Sequence, residues 1–557
     1  MKNILASKNY GWRNISRSGS ILWIKGIIHN HSDENIFLKL ISIDNTEIKN
    51  FLKKIDGHFA FIFEKKDKTI FAVDEIASIP LLYSRKDKIV IGSEFDQINN
   101  LEMIKFNKDS VLSIAMSGYT IGDKTIYEDL NIVSAGHFAI LNLNSNKFEI
   151  KPYHCFSPWN CNLNIDYTSA RKELIDLNFK IIKKTYDYSI KHNKKIAVPL
   201  SAGYDSRLIV STLKQLGAKN VITFSYGLKN NFEAVAAKKI SNYLGYDWYF
   251  VNLNHKKVYR DYQSQNFTKY LNVNNNYFSV LDYKEFTPIK ELTNSGLLDN
   301  SIIVNGQAGD YISGGHTLHK NFQNNKRIYT NNKENVFKCI IDKHFSLWSS
   351  LKTKENIKKI EDILKIELKK NNLDNDYYFQ DNLNYIIIEF LEYYNRQSKH
   401  VVSRQRVYEF FKHEWSLPLW DKEYINFWEK IPIQFKVNQS LYIDALIHGN
   451  SGNVWSKKWM SLKTNLKISP NYFRFFIRPF FKIFFFFLSK KKWHDFEKKF
   501  IYYWIDNVCG MGIKKYMDIL IEKRGFRNSF SFSVADYLHS KTIDFDKNIK
   551  FKNDKNN

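Results

Sequence analysis

The middle of the chain alternates short apolar runs with amphipathic segments. Residues 196–200 form an apolar run, and the apolar positions of residues 208–216 recur at helical spacing. Residues 221–227 and 248–251 predict two further strands, and residues 233–244 predict a second helix. Because strands and helices alternate, we expect right-handed crossovers and a parallel sheet. Ligands of such sheets bind beyond the carboxyl ends of the strands.

The amino-terminal part shows a different pattern, in which short β-rich runs alternate with turn residues. These runs lie at residues 55–63, 71–74, 80–83 and 91–94. They predict a two-layer β sandwich of the α+β kind. Residues 335–445 carry helical patterns, among them 385–391 and 404–411. The predicted fold class is therefore α/β, with an amino-terminal β sandwich, a doubly wound parallel sheet and a helix-rich carboxyl-terminal part.

A loop of small residues, 201–206, joins the first predicted strand of the parallel sheet to its helix. Free main-chain N–H groups and the positive end of the helix dipole form an anion site at such a junction. Gly203 lets the main chain approach a phosphate closely, and the hydroxyl groups of Ser201 and Ser206 add donors. Asp205 would repel a bare phosphate, so its presence favours a bridging Mg²⁺. The alternative is an ordinary turn in which Asp205 or Ser206 caps the helix.

Three segments together resemble a known family. The 201–206 loop resembles the SGGxDS pyrophosphate loop of the N-type ATP pyrophosphatases, with Ala202 at the second position. Residues 305–316 and 414–421 resemble the G-E-G-x-D-E-x-F-G-G-Y and E-x-R-x-P-F-L-D segments of asparagine synthetases, and the order is that of the family. Runs between residues 55 and 137 resemble the glutaminase-type domain of the same family.

The resemblance implies three domains and one chemistry. Residues 1–155 would form a degenerate glutaminase-like domain, residues 165–450 an asparagine-synthase-like ATP pyrophosphatase domain, and residues 451–557 a helical extension. A substrate carboxylate would attack the α-phosphate of ATP, giving an acyl-adenylate and pyrophosphate. An amine or ammonia would then displace AMP. The expected cofactors are ATP and Mg²⁺.

The same resemblance implies a set of site residues. Asp205 and Asp310 are the expected Mg²⁺ ligands, with a simple turn residue as the alternative for Asp310. Glu414 is the expected acid or base, with a structural carboxylate paired to a basic residue as the alternative. The implied nucleotide-binding residues are Leu200, Ser201, Ala202, Gly203, Asp205, Ser206, Phe224, Gly227 and Gly306, of which Leu200, Phe224 and Gly227 would line the adenine pocket.

Cysteine placement departs from the family. Members that hydrolyse glutamine carry a nucleophilic Cys directly after the initiator Met, whereas this sequence begins Met1-Lys2. Its cysteines are Cys155, Cys161, Cys339 and Cys509. An N-terminal nucleophile uses its own amine as the base. We therefore expect no glutaminase activity.

Two further departures concern the acceptor and the adenylate. Gln307 stands where asparagine synthetases have Glu and β-lactam synthetases have Tyr. Its amide does not titrate, so it can orient an acceptor but cannot act as a general base. Tyr442 takes the slot of a Lys that steadies the adenylate in the family. Lys457 or Lys458 could supply that charge instead, and Lys458 is the catalytic lysine that we expect.

Composition limits the partners. The net charge of +26 suits nucleic-acid binding, but the excess is mostly Lys spread along the whole chain, so we expect no nucleic acid. Four irregularly spaced cysteines and no apparent secretory signal predict a cytoplasmic protein. The expected partners are a carboxylate-bearing small molecule, with a sugar acid of a polysaccharide as one example, and an amine or ammonia donor. The nitrogen source and the oligomeric state stay open.

A Phe-rich segment at residues 472–488 is flanked by residues 490–493, which are Lys-Lys-Lys-Trp. It is short and charged for a transmembrane helix, and Pro479 interrupts it. Two structures suit it: a peripheral segment at the inner face of the membrane, spanning residues 472–493, or a buried helix.

A basic cluster comprises Arg396, Lys399, His400 and Arg404. It predicts either contact with an anionic acceptor or a solvated helix face. His316 and His319 lack a third metal ligand nearby in the sequence, so they do not indicate a transition-metal site. We expect them to lie in the acceptor pocket or on the surface. Two functions remain open: an ATP-dependent amide ligase, or a non-catalytic descendant that binds nucleotide or acts as a scaffold subunit.

Overall fold

The computed structural model of the chain describes most of its residues. These are residues 2–85, 89–93, 105–145, 147–274, 276–316, 333–379, 383–462 and 495–551, with isolated positions 479, 483 and 492. The predicted membrane segment at 472–493 therefore lies almost wholly outside the described residues, as does His319. Within the described part of the chain, every helix is too short or too polar to cross a bilayer.

The amino-terminal part contains two β-sheets. Its strands are β1 (Lys2–Leu5), β2 (Arg13–Arg17), β3 (Ser20–Ile28), β4 (Gly57–Glu64), β5 (Lys68–Val73), β6 (Leu82–Ser84), β7 (Ile89–Gly92), β8 (Leu130–Ile132), β9 (His137–Asn142) and β10 (Lys147–Pro152). Six strands form a sheet in the order β10-β9-β5-β4-β3-β2, and four form a sheet in the order β1-β7-β6-β8. The predicted amino-terminal sandwich is confirmed.

Strand β4 shows why the six-stranded sheet is covered on both faces. Successive side chains of a strand point to opposite faces. Phe61 and Phe63 belong to one hydrophobic core together with Phe37 of the helix Asp33–Ser42. Ile62 belongs to a second core, which also holds residues of the four-stranded sheet such as Leu82. This alternation yields two layers of sheet with helices on the outer side.

A five-stranded parallel sheet forms the centre of the molecule. Its strands are β11 (Lys195–Pro199), β12 (Val221–Gly227), β13 (Asp247–Asn252), β14 (Ser301–Val304) and β15 (Glu414–Ser416). They lie in the order β13-β12-β11-β14-β15, and every neighbouring pair is parallel. The predicted parallel sheet is confirmed. The strand order reverses beside β11, between β11 and β14, and such a switch point is where open sheets of this kind bind ligands.

Helices surround this sheet and extend to the carboxyl terminus. The α-helices are Asp33–Ser42, Ile48–Leu52, Lys108–Ser117, Tyr167–Lys191, Tyr204–Gln215, Phe232–Leu244, His255–Tyr262, Gln265–Asn274, Phe286–Asn294, Lys333–His344, Lys354–Lys370, Asn384–Leu391, Arg406–Phe410, Lys422–Lys430, Ile433–Lys436, Ser440–Gly449, Lys457–Met460, Tyr502–Ile505, Tyr516–Ile521 and Ser529–Ser540. Wider π-helical turns lie at Tyr311–Gly315, Glu392–Val401 and Glu497–Ile501. Short 3₁₀ turns lie at Lys8–Tyr10, Pro158–Asn160, Ser349–Leu351, Asp376–Phe379, Val402–Gln405, Pro418–Trp420, Val437–Gln439, Ser451–Asn453 and Gly510–Ile513. A hairpin of β16 (Ile543–Phe545) and β17 (Ile549–Phe551) follows the last helix.

Candidate functional site

The loop at 201–206 leaves the carboxyl end of β11 and is held by its own hydroxyl groups. The main-chain nitrogen of Ser201 donates to Oγ of Ser206 at 3.1 Å, and that of Gly203 donates to Oγ of Ser201 at 3.1 Å. The helix begins at Tyr204, with Gly203 as its N-cap and no side chain capping it. The alternative of an Asp205 or Ser206 cap is therefore wrong. No side chain caps the start of this helix, and an uncapped helix N-terminus suits an anion.

A second loop, residues 305–310, follows β14 and closes on the first. The main-chain nitrogen of Asp310 donates to Oδ2 of Asp205 at 3.1 Å. A Cβ at Gly306 would lie 2.8 Å from the main chain of Asp205, and one at Gly309 would lie 2.7 Å from the Asp205 carboxyl carbon. Glycine at these two positions permits the close approach. The structure thus brings the two predicted metal ligands together.

A cavity of about 280 Å³ lies between the two loops. Its lining comprises Pro199, Ser201, Gly203, Asp205, Ser206, Asn305, Gly306, Gln307, Ala308, Asp310, His316, Arg396, Gln397, Val401 and Arg404. Seven of these are site residues that the sequence predicts: Ser201, Gly203, Asp205, Ser206, Gly306, Gln307 and Asp310. We refer to this space as the loop cavity.

Tyr442 holds the carboxylate of Asp205 from the side opposite Asp310. Its hydroxyl group donates to Oδ1 of Asp205 at 2.8 Å. Burial, together with the neighbouring charge of Asp205, raises the pKa of Tyr442 well above its ordinary value, so the hydroxyl stays protonated as a donor. Lys457 and Lys458 are exposed on another helix and do not line the loop cavity. The catalytic role expected of Lys458 therefore stays a prediction.

His316 links Asp310 to a buried carboxylate. Its Nε2 lies 3.1 Å from Oδ2 of Asp310, and its Nδ1 lies 2.6 Å from Oε1 of Glu392. Burial favours the neutral ring, but the charge of Glu392 and the bond to Asp310 prevail and raise the pKa of His316 to about 9. Desolvation by the surrounding protein opposes ionisation of Asp310, yet His316 and Arg396 hold its pKa below the ordinary value. Both groups are therefore charged at neutral pH.

Gln307 lines the loop cavity, and one of its two amide atoms is hydrogen-bonded. Its Oε1 accepts from Nε2 of Gln405 at 2.8 Å, in the amide orientation that this bond favours. Only 9% of Gln307 is exposed, and its Nε2 has no hydrogen-bond partner among the described residues. A buried donor of this kind calls for an acceptor, which a ligand could supply. Gln405 was missed, because no local pattern links it to Gln307.

The predicted basic cluster is divided between two environments. Arg396 and Arg404 line the loop cavity. Lys399 instead donates to the carbonyl oxygen of Thr120 at 2.8 Å, and burial lowers its pKa to about 8. His400 is also buried, and desolvation lowers its pKa to about 3. The solvated-face alternative is thus wrong for Lys399 and His400.

Glu414 does not reach the loop cavity. It pairs with Ile302 at the amino end of β15, whereas the loops follow the carboxyl ends of the strands. Its Oε1 lies 3.1 Å from Nζ of Lys194, and its Oε2 accepts from the hydroxyl group of Tyr188 at 3.0 Å. Glu414 therefore does not lie where the expected acid or base would act. Its contacts fit the alternative, a structural carboxylate paired with a basic residue.

Three predicted adenine-pocket residues also lie outside the lining of the loop cavity. Leu200 and Phe224 are 2% and 1% exposed and belong to the hydrophobic core. Gly227 is covered, since a Cβ there would overlap the carbonyl oxygen of Asn507. Ala202 is buried, and its carbonyl oxygen accepts from Arg207 at 3.1 Å. These buried positions pack around the loop and do not face the cavity.

The two aspartates fit a Mg²⁺ ion that also binds phosphate. Among the described residues, no group of three or more His, Cys, Asp or Glu side chains could hold a metal ion. Mg²⁺ in nucleotide sites needs only one or two carboxylates, because phosphate oxygens and water complete its shell. Asp205 and Asp310 supply that number from adjoining loops.

Comparison with known proteins agrees with this architecture. Residues 25–154 match the family model of a glutamine amidotransferase domain, and residues 183–450 match that of asparagine synthase. Together the two matches support an asparagine synthetase-like family for this chain.

Individual relatives are distant. The glutamine-hydrolysing asparagine synthetase of Bos taurus is 24% identical over 250 residues, and that of Homo sapiens is 23% identical over 249 residues. Each match covers 38% of this chain and 43% of the relative, so the chain spans less than half the length of these relatives.

Two solved structures show weak likeness. An NH₃-dependent NAD synthetase from Campylobacter jejuni shares 17% identity over 38% of this chain and 96% of that chain, with a TM-score of 0.20. A glutamine phosphoribosylpyrophosphate amidotransferase from B. subtilis shares 14% identity over 42% of this chain and 72% of that chain, with a TM-score of 0.19. Nothing about the site follows from these two.

Proposed function

We propose that the chain is an ATP-dependent ligase that activates a substrate carboxylate and forms an amide. The observation that carries the proposal is the contact between Asp310 and Asp205 at the switch point of the parallel sheet. It places two carboxylates beside a loop whose helix N-terminus is uncapped. Carboxylates next to an anion site favour a metal-bridged polyphosphate over a bare anion.

The loop at 201–206 would hold the phosphates of ATP. The N–H groups at the uncapped start of the helix and the hydroxyl groups of Ser201 and Ser206 would donate to phosphate oxygens. Asp205 and Asp310 would hold Mg²⁺, which when bound neutralises charge on the phosphates. Tyr442 and the main chain of Asp310 keep the Asp205 carboxylate oriented in the absence of ligand.

The reaction would proceed in two steps. An oxygen of the substrate carboxylate forms a bond to the α-phosphorus of ATP, and the bond from that phosphorus to the bridging oxygen breaks, releasing pyrophosphate. A neutral amine then attacks the acyl carbon, AMP leaves, and the amine gives up a proton. Gln307 cannot take that proton, so its role is to orient the acceptor.

The proposed acceptor is an anionic molecule, with a sugar acid as our specific candidate. Arg396 and Arg404 line the loop cavity, and each already contacts a protein carboxylate, that of Glu392 at 3.0 Å and that of Asp282 at 2.9 Å. A guanidinium group has five N–H donors, so each arginine could also bind an acceptor carboxylate. The partnerless Nε2 of Gln307 suits a hydroxyl or carbonyl oxygen. Acids with hydroxyl groups would satisfy both kinds of donor.

Glutamine hydrolysis is not part of the proposed activity. The cysteines of the sequence all follow the last strand of the amino-terminal sheets, at Cys155, Cys161, Cys339 and Cys509. Nitrogen would come from free ammonia, from a partner protein or from an amine of the substrate. Release of ammonia from glutamine by the purified chain would contradict this part of the proposal.

A second candidate function is a non-catalytic nucleotide-binding or scaffold subunit. One observation favours it: the Tyr442 hydroxyl contacts Asp205 where the resemblance implies a lysine. The described lining of the loop cavity contains arginines but no lysine. A subunit of this kind would bind ATP without turning it over.

We also propose a cytoplasmic location with peripheral membrane contact through residues 472–493. The Phe-rich composition and the flanking Lys and Trp residues support contact with the bilayer interface. Flotation with anionic liposomes tests it: the intact chain should float with the vesicles. Failure to float would remove the membrane part and leave the ligase proposal intact.

Pyrophosphate exchange tests the ligase against the second candidate. The chain is incubated with ATP, Mg²⁺, labelled pyrophosphate and a panel of carboxylates that includes several sugar acids. A ligase returns label to ATP only when its carboxylate is present. Tight ATP binding with no exchange across the panel would favour the non-catalytic subunit.

A further inference from the structure

A second and larger cavity lies between the amino-terminal sheets and the parallel sheet. Its volume is about 640 Å³, which is in the size range of small-molecule sites. Lys25 and Ile27 of β3 line one side, and Arg406, Phe410 and Trp415 line the other. We refer to it as the inter-sheet cavity. It shares no lining residue with the loop cavity.

The two cavities open at opposite ends of the parallel sheet. Glu414 and Trp415, at the amino end of β15, line the inter-sheet cavity. The loop cavity follows the carboxyl ends of β11 and β14. A ligand of the inter-sheet cavity would therefore occupy a site separate from the reacting groups, and the inference does not depend on the proposed function.

The described lining of the inter-sheet cavity is rich in positive charge. It includes five Lys and Arg side chains and two Glu side chains. Both carboxylates have internal partners. Oε2 of Glu409 lies 2.8 Å from both Arg406 and Lys25, and Oε1 of Glu414 lies 3.1 Å from Lys194, which is not part of the lining. Arg13 is paired with Asp33 at 2.7 Å. Lys412 at the rim donates to a carbonyl oxygen, that of Asn9, at 3.2 Å. A neutral carbonyl leaves the charge of Lys412 uncompensated.

Arg406 supplies a donor that lacks an acceptor. Its side chain is 4% exposed. One terminal nitrogen donates to Glu409 and the other to the carbonyl oxygen of Ser78, each at 2.8 Å. Nε has no hydrogen-bond partner among the described residues. Buried donors are nearly always paired, so this one points to an acceptor brought by a ligand.

The remaining surface of the cavity is apolar and aromatic. Ile27 and Ile79 come from the amino-terminal part, and Phe410 and Trp415 from the other side. Such surfaces bind the body of a ligand, while a few charged groups fix its orientation. We propose that the inter-sheet cavity binds a small organic anion with an aromatic or aliphatic body, its acidic group directed at Arg406 and Lys412.

The test compares acids with their neutral amides. Benzoate, phenylacetate, 4-phenylbutyrate and hexanoate, each with its matching amide, are titrated into the full chain by ligand-observed NMR. Crystals soaked with the tightest acid locate it. We expect at least one acid to bind about tenfold more tightly than its amide, in the inter-sheet cavity, because a hydrogen bond between two charged groups is stronger than one to a neutral amide.

Variants separate this site from the rest of the surface. Lys412→Gln, at an exposed position, should weaken binding about threefold or more, in line with the modest value of an exposed charge. Lys191→Gln, exposed and outside the lining, is the matched control and should bind like the parent. Asp205→Asn should leave the affinity unchanged. The proposal is overturned if no acid of the panel binds, if acid and amide bind equally, if Lys412→Gln binds like Lys191→Gln, or if the acid occupies another place.

Discussion

The main-chain nitrogen of Asp310 donates to the carboxylate of Asp205 across 3.1 Å, although the two residues are 105 positions apart in the chain. The strand order produces this contact, because β11 and β14 are neighbours and both loops leave the same edge of the sheet. Asp205 is therefore oriented by the protein itself.

Gly306 and Gly203 should respond differently to a methyl group. In Gly306→Ala the Cβ would meet main-chain atoms at 2.8 Å, so we expect a loss of about 1–3 kcal/mol in the free energy of unfolding, as in overpacked cores, and weaker ATP binding. In Gly203→Ala the Cβ would meet only Oγ of Ser201, at 3.1 Å, and φ is −66°. Gly203→Ala should therefore keep the free energy of unfolding of the parent but bind ATP more weakly. Denaturant unfolding and calorimetric titration measure both, and equal stability losses would contradict the steric account.

Tyr442→Phe removes a hydroxyl donor that orients Asp205. The ring can remain in place, so the cost in stability should be close to that of one hydrogen bond, about 1 kcal/mol. Because the carboxylate is then less restrained, exchange activity should drop more than stability suggests. Tyr424→Phe is the control, since that hydroxyl is also buried but forms no hydrogen bond with Asp205. Identical exchange rates in the two variants would argue against a role for Tyr442.

His316 predicts a loss of stability at alkaline pH. Its pKa rises from 6.5 to about 9 in the folded chain, so the folded state holds a proton that the unfolded state releases. The stabilisation is complete below about pH 6.5 and is lost as the pH rises through 9, amounting to about 3 kcal/mol.

The measurement for His316 is a difference between two pH profiles. Unfolding free energies of the parent and of His316→Gln are determined from pH 6 to 10. The difference in unfolding free energy between the two proteins should become smaller as the pH rises. Taking this difference removes the contributions of other titrating groups. A gap that stays constant would show that the proton on His316 contributes nothing to folding.

The buried pair of Lys436 and Glu389 supports the turn that follows Asp310. Nζ of Lys436 lies 2.9 Å from Oε2 of Glu389, and both side chains are at most 2% exposed. Gly314 packs against the main chain of Lys436. Lys436→Met removes the ammonium partner of a buried carboxylate and should cost about 3–5 kcal/mol. Adding Glu389→Gln should restore much of that stability in thermal unfolding. No recovery in the double variant would contradict the pairing explanation.

Local pattern was sufficient for the parts of the fold that rest on local physics. The apolar run before Ser201 predicted β11, because a strand covered on both faces is apolar throughout. The spacing of apolar residues at 208–216 predicted most of the helix Tyr204–Gln215. The order of the motifs placed Asp205 and Asp310 at one sheet edge, which the structure bears out.

Contacts between distant segments were beyond local pattern. Gln405 meets Gln307 across 98 positions, and Tyr442 meets Asp205 across 237. Glu414 was misplaced because motif spacing does not specify strand register, and β15 begins at that residue. Local pattern predicts that Lys399 lies on the surface or at a ligand site, but Lys399 is buried against Thr120.

The most direct test of the two-aspartate site is pyrophosphate exchange by three variants, with a carboxylate that supports exchange by the parent chain. Asp205→Asn and Asp310→Asn should each lower the rate by about a hundredfold or more, since losing a charged phosphate-site group costs about 2.7–4 kcal/mol. Glu414→Gln, the matched acidic control on the far end of the sheet, should stay within about twofold, as a surface substitution does. Full exchange in either aspartate variant, or its loss in Glu414→Gln alone, would contradict the account.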